Sequence, residues 1–367
     1  MTILHTLADT HGQSVWIDDL RRSHLHDGTL SGRIADGVRG LTSNPTIFAK
    51  AITGSSDYDE QFAGLIAAGA GVEPAYWTMV VDDIRAACDA FAPLHTATDG
   101  RDGFVSVEVS PTLARDTAGT ESAARELRRR VDRPNVMIKI PATIEGLPAI
   151  RRMIGEGMSV NVTLIFGLER YAAVMEAYIA GLEDLASDPA ADLSTVAGVA
   201  SLFVSRVDTE VDRRLGGTAA TPHVLAGRAG LCQSRVAYSL FRSTFAGPRW
   251  AALAARGARV QRPLWASTGT KNPAYSDVMY VDGLIGPDTV NTVPTTTLEA
   301  VLDHGRAERT LDTDPSTEET WSALSAAGID MADVAQVLER EGLDSFIASF
   351  DEVLSALADK AATFGDR

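Results

Sequence analysis

Short apolar runs alternate along this chain with longer amphipathic segments. The apolar runs have the length and alternation of strands, which we predict at Val15–Asp18, Gly40–Thr42, Phe104–Val109, Val136–Ile140, Ser159–Leu164, Val199–Val204, Pro263–Ser267 and Val290–Val293. The segments between them repeat their apolar residues at helical spacing, for example at 74–91, 117–131, 168–187 and 223–246. Eight strands, each followed by helices, predict a parallel α/β fold. Eight is also the strand count at which a (β/α)8 TIM barrel closes.

The predicted barrel accounts for most of the chain. We expect a single domain over residues 1–367, with the barrel at about 14–305 and additional acidic helices appended at about 307–367. The segment after 307 keeps helical periodicity, and no Gly/Pro/Ser-rich linker precedes it. No Gly-x-Gly-x-x-Gly turn follows the first strand, which weighs against a dinucleotide-binding open sheet.

The alternation within each strand predicts which side chains face the barrel axis. Successive strand residues point to opposite faces. In the fifth strand Val160, Val162 and Leu164 share one face, and Asn161 and Thr163 share the other. Helices cover the outside of a parallel barrel, so the apolar face is expected to point outward and the polar face inward.

The same rule applied to all strands predicts one polar pocket. For the seventh strand it places Leu264 and Ala266 outward and Ser267 inward. Antiparallel strands with one wet face are the alternative, but the helix-length connections fit them less well. The residues expected to converge at the carboxyl ends of the strands are Asp18, Asn44, Glu108, Lys139, Asn161, Thr163, Ser201 and Ser267.

Lys139 is the most unusual member of this pocket. The chain has only four lysines against 29 arginines, so lysine is hardly used as a surface cation. An amine held away from water is a nucleophile toward carbonyls and forms a Schiff base with them. When this imine is protonated it withdraws electrons, so the carbon–carbon bond beyond it can break. Glu108 is suited to relay protons through water, and Asp18 could take the proton of a substrate hydroxyl.

Other polar residues suit a sugar phosphate substrate. We expect the side chains of Asn44, Asn161 and Ser201 to hold sugar hydroxyls, and those of Arg206 and Ser267 to bind a phosphate.

Each residue alone also has a simpler interpretation. Lys139 and Glu108 could form a salt bridge and nothing more. Asp18 could cap the first helix, Asn44-Pro45 has the sequence of a turn, and Arg206 could be a paired surface arginine. The functional interpretation depends on all of these residues meeting in one pocket.

Composition narrows the possible partners and compartments. The net charge of −16 argues against nucleic acid and anionic membranes as partners. Only Cys88 and Cys232 occur, no signal peptide precedes the first strand, and no apolar stretch is long enough to span a membrane, so we expect a cytoplasmic protein. We expect no metal and no organic cofactor, because the histidines do not cluster with other ligands at the predicted inward positions. These histidines are His5, His11, His24, His26, His95, His223 and His304.

Several ordered motifs at barrel spacing resemble one family. They are Gly40-Leu-Thr-Ser-Asn-Pro-Thr46, Val105-Ser-Val-Glu-Val-Ser110, Val136-Met-Ile-Lys-Ile-Pro-Ala-Thr143, Val160-Asn-Val-Thr-Leu-Ile-Phe166, Ala200-Ser-Leu-Phe-Val-Ser-Arg206 and Trp265-Ala-Ser-Thr-Gly-Thr-Lys-Asn272. Over roughly residues 14–300 the chain resembles the transaldolase family of class I, Schiff-base enzymes.

The resemblance implies a reaction and a set of roles. The reaction moves a dihydroxyacetone unit from sedoheptulose 7-phosphate to glyceraldehyde 3-phosphate, giving erythrose 4-phosphate and fructose 6-phosphate in the non-oxidative pentose phosphate pathway. It implies Lys139 as the Schiff-base nucleophile, Asp18 as the acid/base at the substrate hydroxyl, and Glu108 with Thr163 at the catalytic water. By the same resemblance, the substrate contacts are Asn44, Asn161, Ser201, Phe203, Arg206 and Ser267.

One position departs from the family pattern. Many relatives have an arginine two residues after the phosphate-binding serine, where this chain has Gly269, and we expect Lys271 to supply that charge. Related fructose-6-phosphate aldolases tend to carry Gln and Tyr where this chain has Glu108 and Phe203, which favours transfer over plain cleavage. A Schiff-base aldolase that releases dihydroxyacetone and a non-catalytic sugar-phosphate-binding barrel are the alternatives. For the assembly, a homodimer and a monomer both stay open.

Overall fold

A closed barrel of parallel strands forms the centre of the molecule. The structure, a computed structural model, describes residues 1–218 and 221–365. Each barrel strand pairs with its sequence neighbours, and β1 pairs with both β2 and β8, which closes the ring. The barrel strands are β1 (Gln13–Ile17), β2 (Gly40–Thr42), β3 (Phe104–Glu108), β4 (Val136–Pro141), β5 (Val160–Ile165), β6 (Gly198–Phe203), β7 (Gln261–Ala266) and β8 (Thr289–Val293). The predicted (β/α)8 barrel is confirmed.

Helices surround the barrel. They are α1 (Ile3–Asp9), α2 (Arg22–His26), α3 (Thr29–Ala35), α4 (Pro45–Thr53), α5 (Asp59–Ala67), α6 (Val72–Ala97), α7 (Thr117–Val131), α8 (Gly146–Gly155), α9 (Leu168–Ala186), α10 (Ser205–Leu215), α11 (Ala229–Thr244), α12 (Pro248–Ala254), α13 (Met279–Asp282), α14 (Thr295–His304), α15 (Thr317–Ala326) and α16 (Met331–Gly365). Single 3-10 turns lie at Pro111–Leu113 and Leu193–Thr195. Among the described residues, no helix combines the length and apolarity needed to cross a membrane.

The segment between α10 and α11 differs from its prediction. The sequence predicts a helix at 223–246, but α11 begins only at Ala229. Gly227 has a left-handed backbone with φ of 71°, which a helix cannot contain. A short antiparallel pair, Gly217–Thr218 with Thr221–Pro222, precedes it and was not predicted.

The facing of β7 is the reverse of the prediction. Leu264 and Ala266 pack inside the barrel with Met137 of β4, whereas Trp265 packs in the outer layer under the helices. The large apolar indole of Trp265 belongs to the side that helices cover. Ser267 still enters the barrel mouth, because its own left-handed backbone, with φ of 54°, turns the chain just after the strand ends.

A second local exception lies at the end of β5. The pairing register with β6 shifts between Val162 and Ile165, and the intervening Leu164 has a left-handed backbone with φ of 58°. Such a bulge reverses the facing of the residues after it. Leu164 therefore packs with the inner cluster instead of facing outward as predicted, and Ile165 takes the outer position.

A buried ionic network lies at the amino-terminal end of the barrel. Arg262 of β7 donates from its terminal nitrogens to Asp102 Oδ1 at 3.0 Å, Ser14 Oγ at 2.7 Å and the carbonyls of Arg101 and Thr289 at 3.2 and 2.7 Å. Asp102 also accepts from Ser14 Oγ at 2.6 Å. A buried charge is tolerated when it is paired and hydrogen-bonded in this way.

The opposite, carboxyl-terminal end is covered by the last helix. Leu338, Leu343 and Phe346 of α16 join the cluster of side chains inside the barrel. Ser349 Oγ of α16 lies 2.8 Å from Thr46 Oγ1 at the start of α4, which ties the helix to the barrel rim. The proposed boundary between a barrel at about 14–305 and appended helices at about 307–367 stays a prediction.

Gly40 in β2 lies directly against the indole of Trp16. A Cβ at Gly40 would lie 2.6 Å from the indole of Trp16, which is fully buried inside the barrel. We expect Gly40→Ala to lower the free energy of unfolding by about 1–3 kcal/mol, because overpacking forces the indole or the strand to move.

Gly32→Ala is the matched control, since no atom lies within 4 Å of its Cβ position on α3. There the helix is expected to gain about 0.5–1 kcal/mol. Urea unfolding of both variants measures the difference. Equal stability of the two variants would show that the barrel accommodates the extra methyl group beside Trp16.

Candidate active site

Lys139 and Glu108 lie side by side inside the barrel. Glu108 of β3 is in register with Lys139 of β4, which is in register with Asn161 of β5, so three polar side chains share one level. Lys139 Nζ lies 3.4 Å from Glu108 Oε2 and donates to the carbonyl of Ser43 at 2.9 Å. Their side chains are only 6% and 2% exposed. The sequence prediction that these two residues meet is confirmed by this geometry.

Glu108 has an unusual electrostatic environment. Burial raises the pKa of its carboxyl to about 7, and the nearby Lys139 only partly opposes this effect. Neither carboxyl oxygen of Glu108 has a hydrogen-bond partner among the described residues, and the same holds for the hydroxyl of Thr163 on β5. Buried polar atoms of this kind normally bind water or substrate. A carboxyl that titrates near neutral pH can both give and take a proton.

Asp18 follows β1 and lines a cavity with Lys139, whereas Glu108 is not part of that lining and faces a small neighbouring pocket. It accepts a hydrogen bond from Thr42 Oγ1 at 2.6 Å, and Thr42 Oγ1 also lies 2.7 Å from Thr292 Oγ1. Burial raises the pKa of Asp18, and the charge of Lys139 lowers it in part. The charge of Lys139 therefore acts on two carboxyl groups, Glu108 on β3 and Asp18 just after β1.

Asn161 lies below the cavity, where it supports Ser201. Its Nδ2 donates to Ser106 Oγ at 3.0 Å, and its Oδ1 accepts from Ser201 Oγ at 2.7 Å. Ser201 lines the cavity, whereas Asn161 is fully buried and has no place in that lining. The structure thus brings Asn161 beside the site, and Ser201, itself buried, is the member of the pair that lines the cavity.

Asn44 caps α4 and also lines the cavity. Its Oδ1 accepts from the backbone N–H of Ile47 at 3.0 Å, which makes Asn44 the N-cap of α4. The same residue lines the cavity. The proline that follows it occupies the first turn of α4, a position proline favours.

The cavity has a volume of about 340 Å³. Its floor is Lys139 with Thr163, and its rim carries cations on three separate segments: Lys50, Arg206 and Lys271. The remaining residues that line the cavity are Asp18, Thr42, Asn44, Thr46, Ile47, Ser201, Phe203, Ala266, Ser267, Gly269, Thr292, Pro294, Ser345 and Phe346. A site with an amine at its base and cations at its rim is suited to a carbonyl compound that bears an anionic group.

Arg206 differs from most arginines of this chain. Its guanidinium lies over the ring of Phe203, 5.3 Å from the centroid, and burial lowers its pKa. In the part of the chain that the structure describes, it makes no hydrogen bond and no ion pair. Ser267 Oγ lies 2.9 Å from Ser205 Oγ, which places the loop after β7 against the start of α10.

Sequence reasoning missed some of the lining. Lys50 carried a usable signal, since it is one of only four lysines and follows Asn44 by less than two helical turns. Ser345 and Phe346 carried none, because α16 is an ordinary amphipathic helix far along the chain. Among residues 1–218 and 221–365, no group of three or more His, Cys, Asp and Glu is arranged to hold a metal ion.

The fold and this cavity define an enzyme built on a parallel barrel, with a buried amine at the carboxyl ends of its strands. The family model for transaldolase/fructose-6-phosphate aldolase matches residues 15–357, and the chain belongs to this family.

Curated relatives agree over almost the full length. The transaldolase of Saccharopolyspora erythraea is 50% identical over 97% of this chain and 97% of its own length. That of Thermobifida fusca is 50% identical over 98% of each chain. That of Mycolicibacterium smegmatis is 51% identical over 94% of each.

The raised pKa of Glu108 makes stability depend on pH. Glu108 titrates at about 7 in the folded chain, against about 4.3 for a glutamate in an unfolded chain. Between these values the folded chain keeps the proton that the unfolded chain releases, so this contribution to stability is lost as the pH rises. We expect the wild type to lose about 1–3 kcal/mol relative to Glu108→Gln between about pH 5 and 8.

Urea unfolding of both proteins across this pH range measures the difference, with Glu108→Gln as the variant that cannot titrate. A stability difference that stays constant with pH would contradict the raised pKa of Glu108.

Proposed function

We propose that this chain is a transaldolase that transfers a dihydroxyacetone unit through a Schiff base on Lys139. The donor is sedoheptulose 7-phosphate and the acceptor glyceraldehyde 3-phosphate, giving erythrose 4-phosphate and fructose 6-phosphate in the non-oxidative pentose phosphate pathway. The observation that carries the proposal is the buried amine of Lys139 beside Glu108, at the base of a cavity rimmed by cations.

The chemistry begins at the ketone carbon of the donor. Lys139 Nζ adds to this carbon, and loss of water gives the imine. Glu108 and Thr163 hold the water and relay the protons of this step. Asp18 then takes the proton of the hydroxyl on C4, two carbons from the imine carbon C2. The bond between C3 and C4 breaks, its electrons pass into the imine to give an enamine, and the aldose leaves with C4 as its aldehyde carbon. The enamine that remains adds to the acceptor aldehyde, Asp18 returns the proton, and water hydrolyses the new imine to free Lys139.

The residues around the lysine hold the sugar. Asn44 and Ser201 contact the hydroxyls of the dihydroxyacetone unit, and Asn161 orients Ser201 through the 2.7 Å hydrogen bond. Phe203 forms part of the wall and stacks under Arg206.

The phosphate binds at the cationic rim. Arg206, which is partly buried and makes no hydrogen bond or ion pair among the described residues, is the principal anion-binding group, and Ser267 lines the same cavity. Lys271 replaces the arginine that the family pattern has at position 269. A Cβ at Gly269 would lie only 3.0 Å from Pro294 Cγ, so a side chain at this position would be crowded.

We also propose that the enzyme works in the cytoplasm on small sugar phosphates, as a monomer or a homodimer. The net charge of −16 supports a function without nucleic acid or membrane partners.

Covalent trapping tests the Schiff base. Borohydride reduction in the presence of fructose 6-phosphate is expected to fix the three-carbon unit on Lys139 and on none of Lys50, Lys271 or Lys360, as located by peptide mass spectrometry. Lys139→Ala is expected to lower turnover by at least about 1,000-fold, as loss of a covalent nucleophile does.

Lys360→Ala is the control, because Lys360 lies on α16 and is paired with Asp59, outside the cavity. A reduced adduct at another lysine, or substantial turnover by folded Lys139→Ala, would refute the assigned nucleophile.

The acceptor dependence separates transfer from plain aldol cleavage. With fructose 6-phosphate alone, we expect little free dihydroxyacetone, because the enamine stays bound until an aldehyde arrives. Added erythrose 4-phosphate is expected to produce sedoheptulose 7-phosphate in its place. Coupled assays for dihydroxyacetone and for the product ketose follow both outcomes. Rapid release of dihydroxyacetone regardless of the acceptor would identify an aldolase.

A further inference from the structure

The two phosphate-binding cations proposed above lie on separate segments of the chain. Arg206 is in the first turn of α10, and Lys271 is on the loop that follows β7. The loop and the helix are separated by a cavity of about 310 Å³, lined by residues of both segments and by Lys271 itself. Beside Arg206 the loop is joined to the start of α10, where Ser267 Oγ lies 2.9 Å from Ser205 Oγ and the carbonyl of Ser267 accepts from the backbone N–H of Ser205 at 3.0 Å. At Lys271, across this cavity, close packing does not join the two segments.

Asp212 of α10 connects directly to the loop. Its Oδ2 accepts from the hydroxyl of Tyr275 at 2.6 Å, and its Oδ1 accepts from the backbone N–H of Gly227 at 2.9 Å. The ring of Tyr275 covers Gly227 so closely that a Cβ there would lie 2.7 Å from the ring. One carboxylate thus joins the helix, the turn before α11 and the loop that carries Lys271.

Asp208, one helical turn earlier, makes a second connection of the same kind. It is buried, accepts from the backbone N–H of Gly230 at 2.8 Å, and accepts from the hydroxyl of Tyr280 at 2.7 Å. Tyr280 lies at the far end of the same connection between β7 and β8. In the described part of the chain, neither Asp208 nor Asp212 forms an ion pair, so both carboxylates are committed to these hydrogen bonds.

We propose that these two aspartate–tyrosine pairs, Asp212–Tyr275 and Asp208–Tyr280, form a brace that sets the distance between Arg206 and Lys271. On this proposal, which rests on the proposed function, Tyr275 and Asp212 are positioning residues for the phosphate of the substrate. They touch neither the reacting carbons nor Lys139. The brace gives the enzyme its preference for phosphorylated over unphosphorylated ketoses.

The consequence is a specific kinetic pattern. Without the brace the loop moves relative to α10, so Lys271 no longer meets the phosphate that Arg206 holds. Ground-state binding and transition-state binding of the phosphate weaken together, which raises KM and leaves kcat nearly unchanged. An unphosphorylated ketose has no group for this site, so its turnover should not change.

The experiment compares Tyr275→Phe with Tyr238→Phe. Both lose a hydroxyl that donates a hydrogen bond, but Tyr238 donates to the carbonyl of Pro287, away from the site. For Tyr275→Phe we expect KM for fructose 6-phosphate to rise about 3–10-fold, the worth of one hydrogen bond, with kcat within about twofold. Turnover of unphosphorylated fructose should match the wild type, and Tyr238→Phe should be unchanged with both ketoses.

A double-variant cycle isolates the bond itself. If Asp212 acts through Tyr275, then Asp212→Ala with Tyr275→Phe raises KM no further than the worse single variant. Circular dichroism and thermal unfolding confirm that each variant is folded. An unchanged KM in both single variants, an equal effect on fructose, a fall in kcat alone, or fully additive effects would overturn the brace.

Failure of the brace is distinguishable from failure of the proposed function. Borohydride trapping of unphosphorylated dihydroxyacetone on wild-type Lys139 does not involve the phosphate site. A trapped adduct together with a normal KM in Tyr275→Phe refutes the brace alone, whereas the absence of any adduct in the wild type refutes the proposed function.

Discussion

The burial of Lys139 against Glu108 is the constraint on which the rest of the site depends. Neighbouring strands in register bring the two side chains together, at a level where the barrel walls exclude water. In that setting a carboxylate is costly, so Glu108 keeps its proton up to about neutral pH, while the amine is held by a backbone carbonyl. The hydroxyls of Thr163 and Ser201 on the next two strands line the same cavity as Lys139.

The two ends of the barrel differ in how their buried charged groups are hydrogen-bonded. At the amino-terminal end, the terminal nitrogens of Arg262 make four hydrogen bonds, which tie together β1, β7 and β8. At the other end, Glu108 forms an ion pair with Lys139, but its oxygens and the hydroxyl of Thr163 have no hydrogen-bond partner within the described residues. Polar atoms left in this way can bind water or substrate.

The barrel and most of the residues of the site could be predicted from the sequence. The eight strands are short, apolar and separated by helices, and simple alternation placed Lys139, Glu108 and Thr163 inside. The alternation rule failed at two places. Leu164 lies in a bulge, where the backbone departs from regular strand geometry. In β7 the bulky side chain of Trp265 packs on the side that the helices cover, so the facing is the reverse of the prediction. The contribution of α16 could not be predicted, because nothing in an amphipathic pattern specifies which surface a helix covers.

The position of α16 has a consequence for how substrate range can change. Ser345 and Phe346 enclose the cavity from α16, a helix that follows the last barrel strand in the chain. A hydrogen bond with Thr46 ties this helix to the rim of the barrel. The floor of the cavity, Lys139 with Thr163, and the helix that encloses it, α16, therefore come from distant parts of the chain. Strand residues must satisfy the barrel, whereas Ser345 lies on the helix surface and Phe346 packs against the cluster inside the barrel. The length of ketose that the cavity admits can diverge between relatives while the catalytic apparatus stays intact.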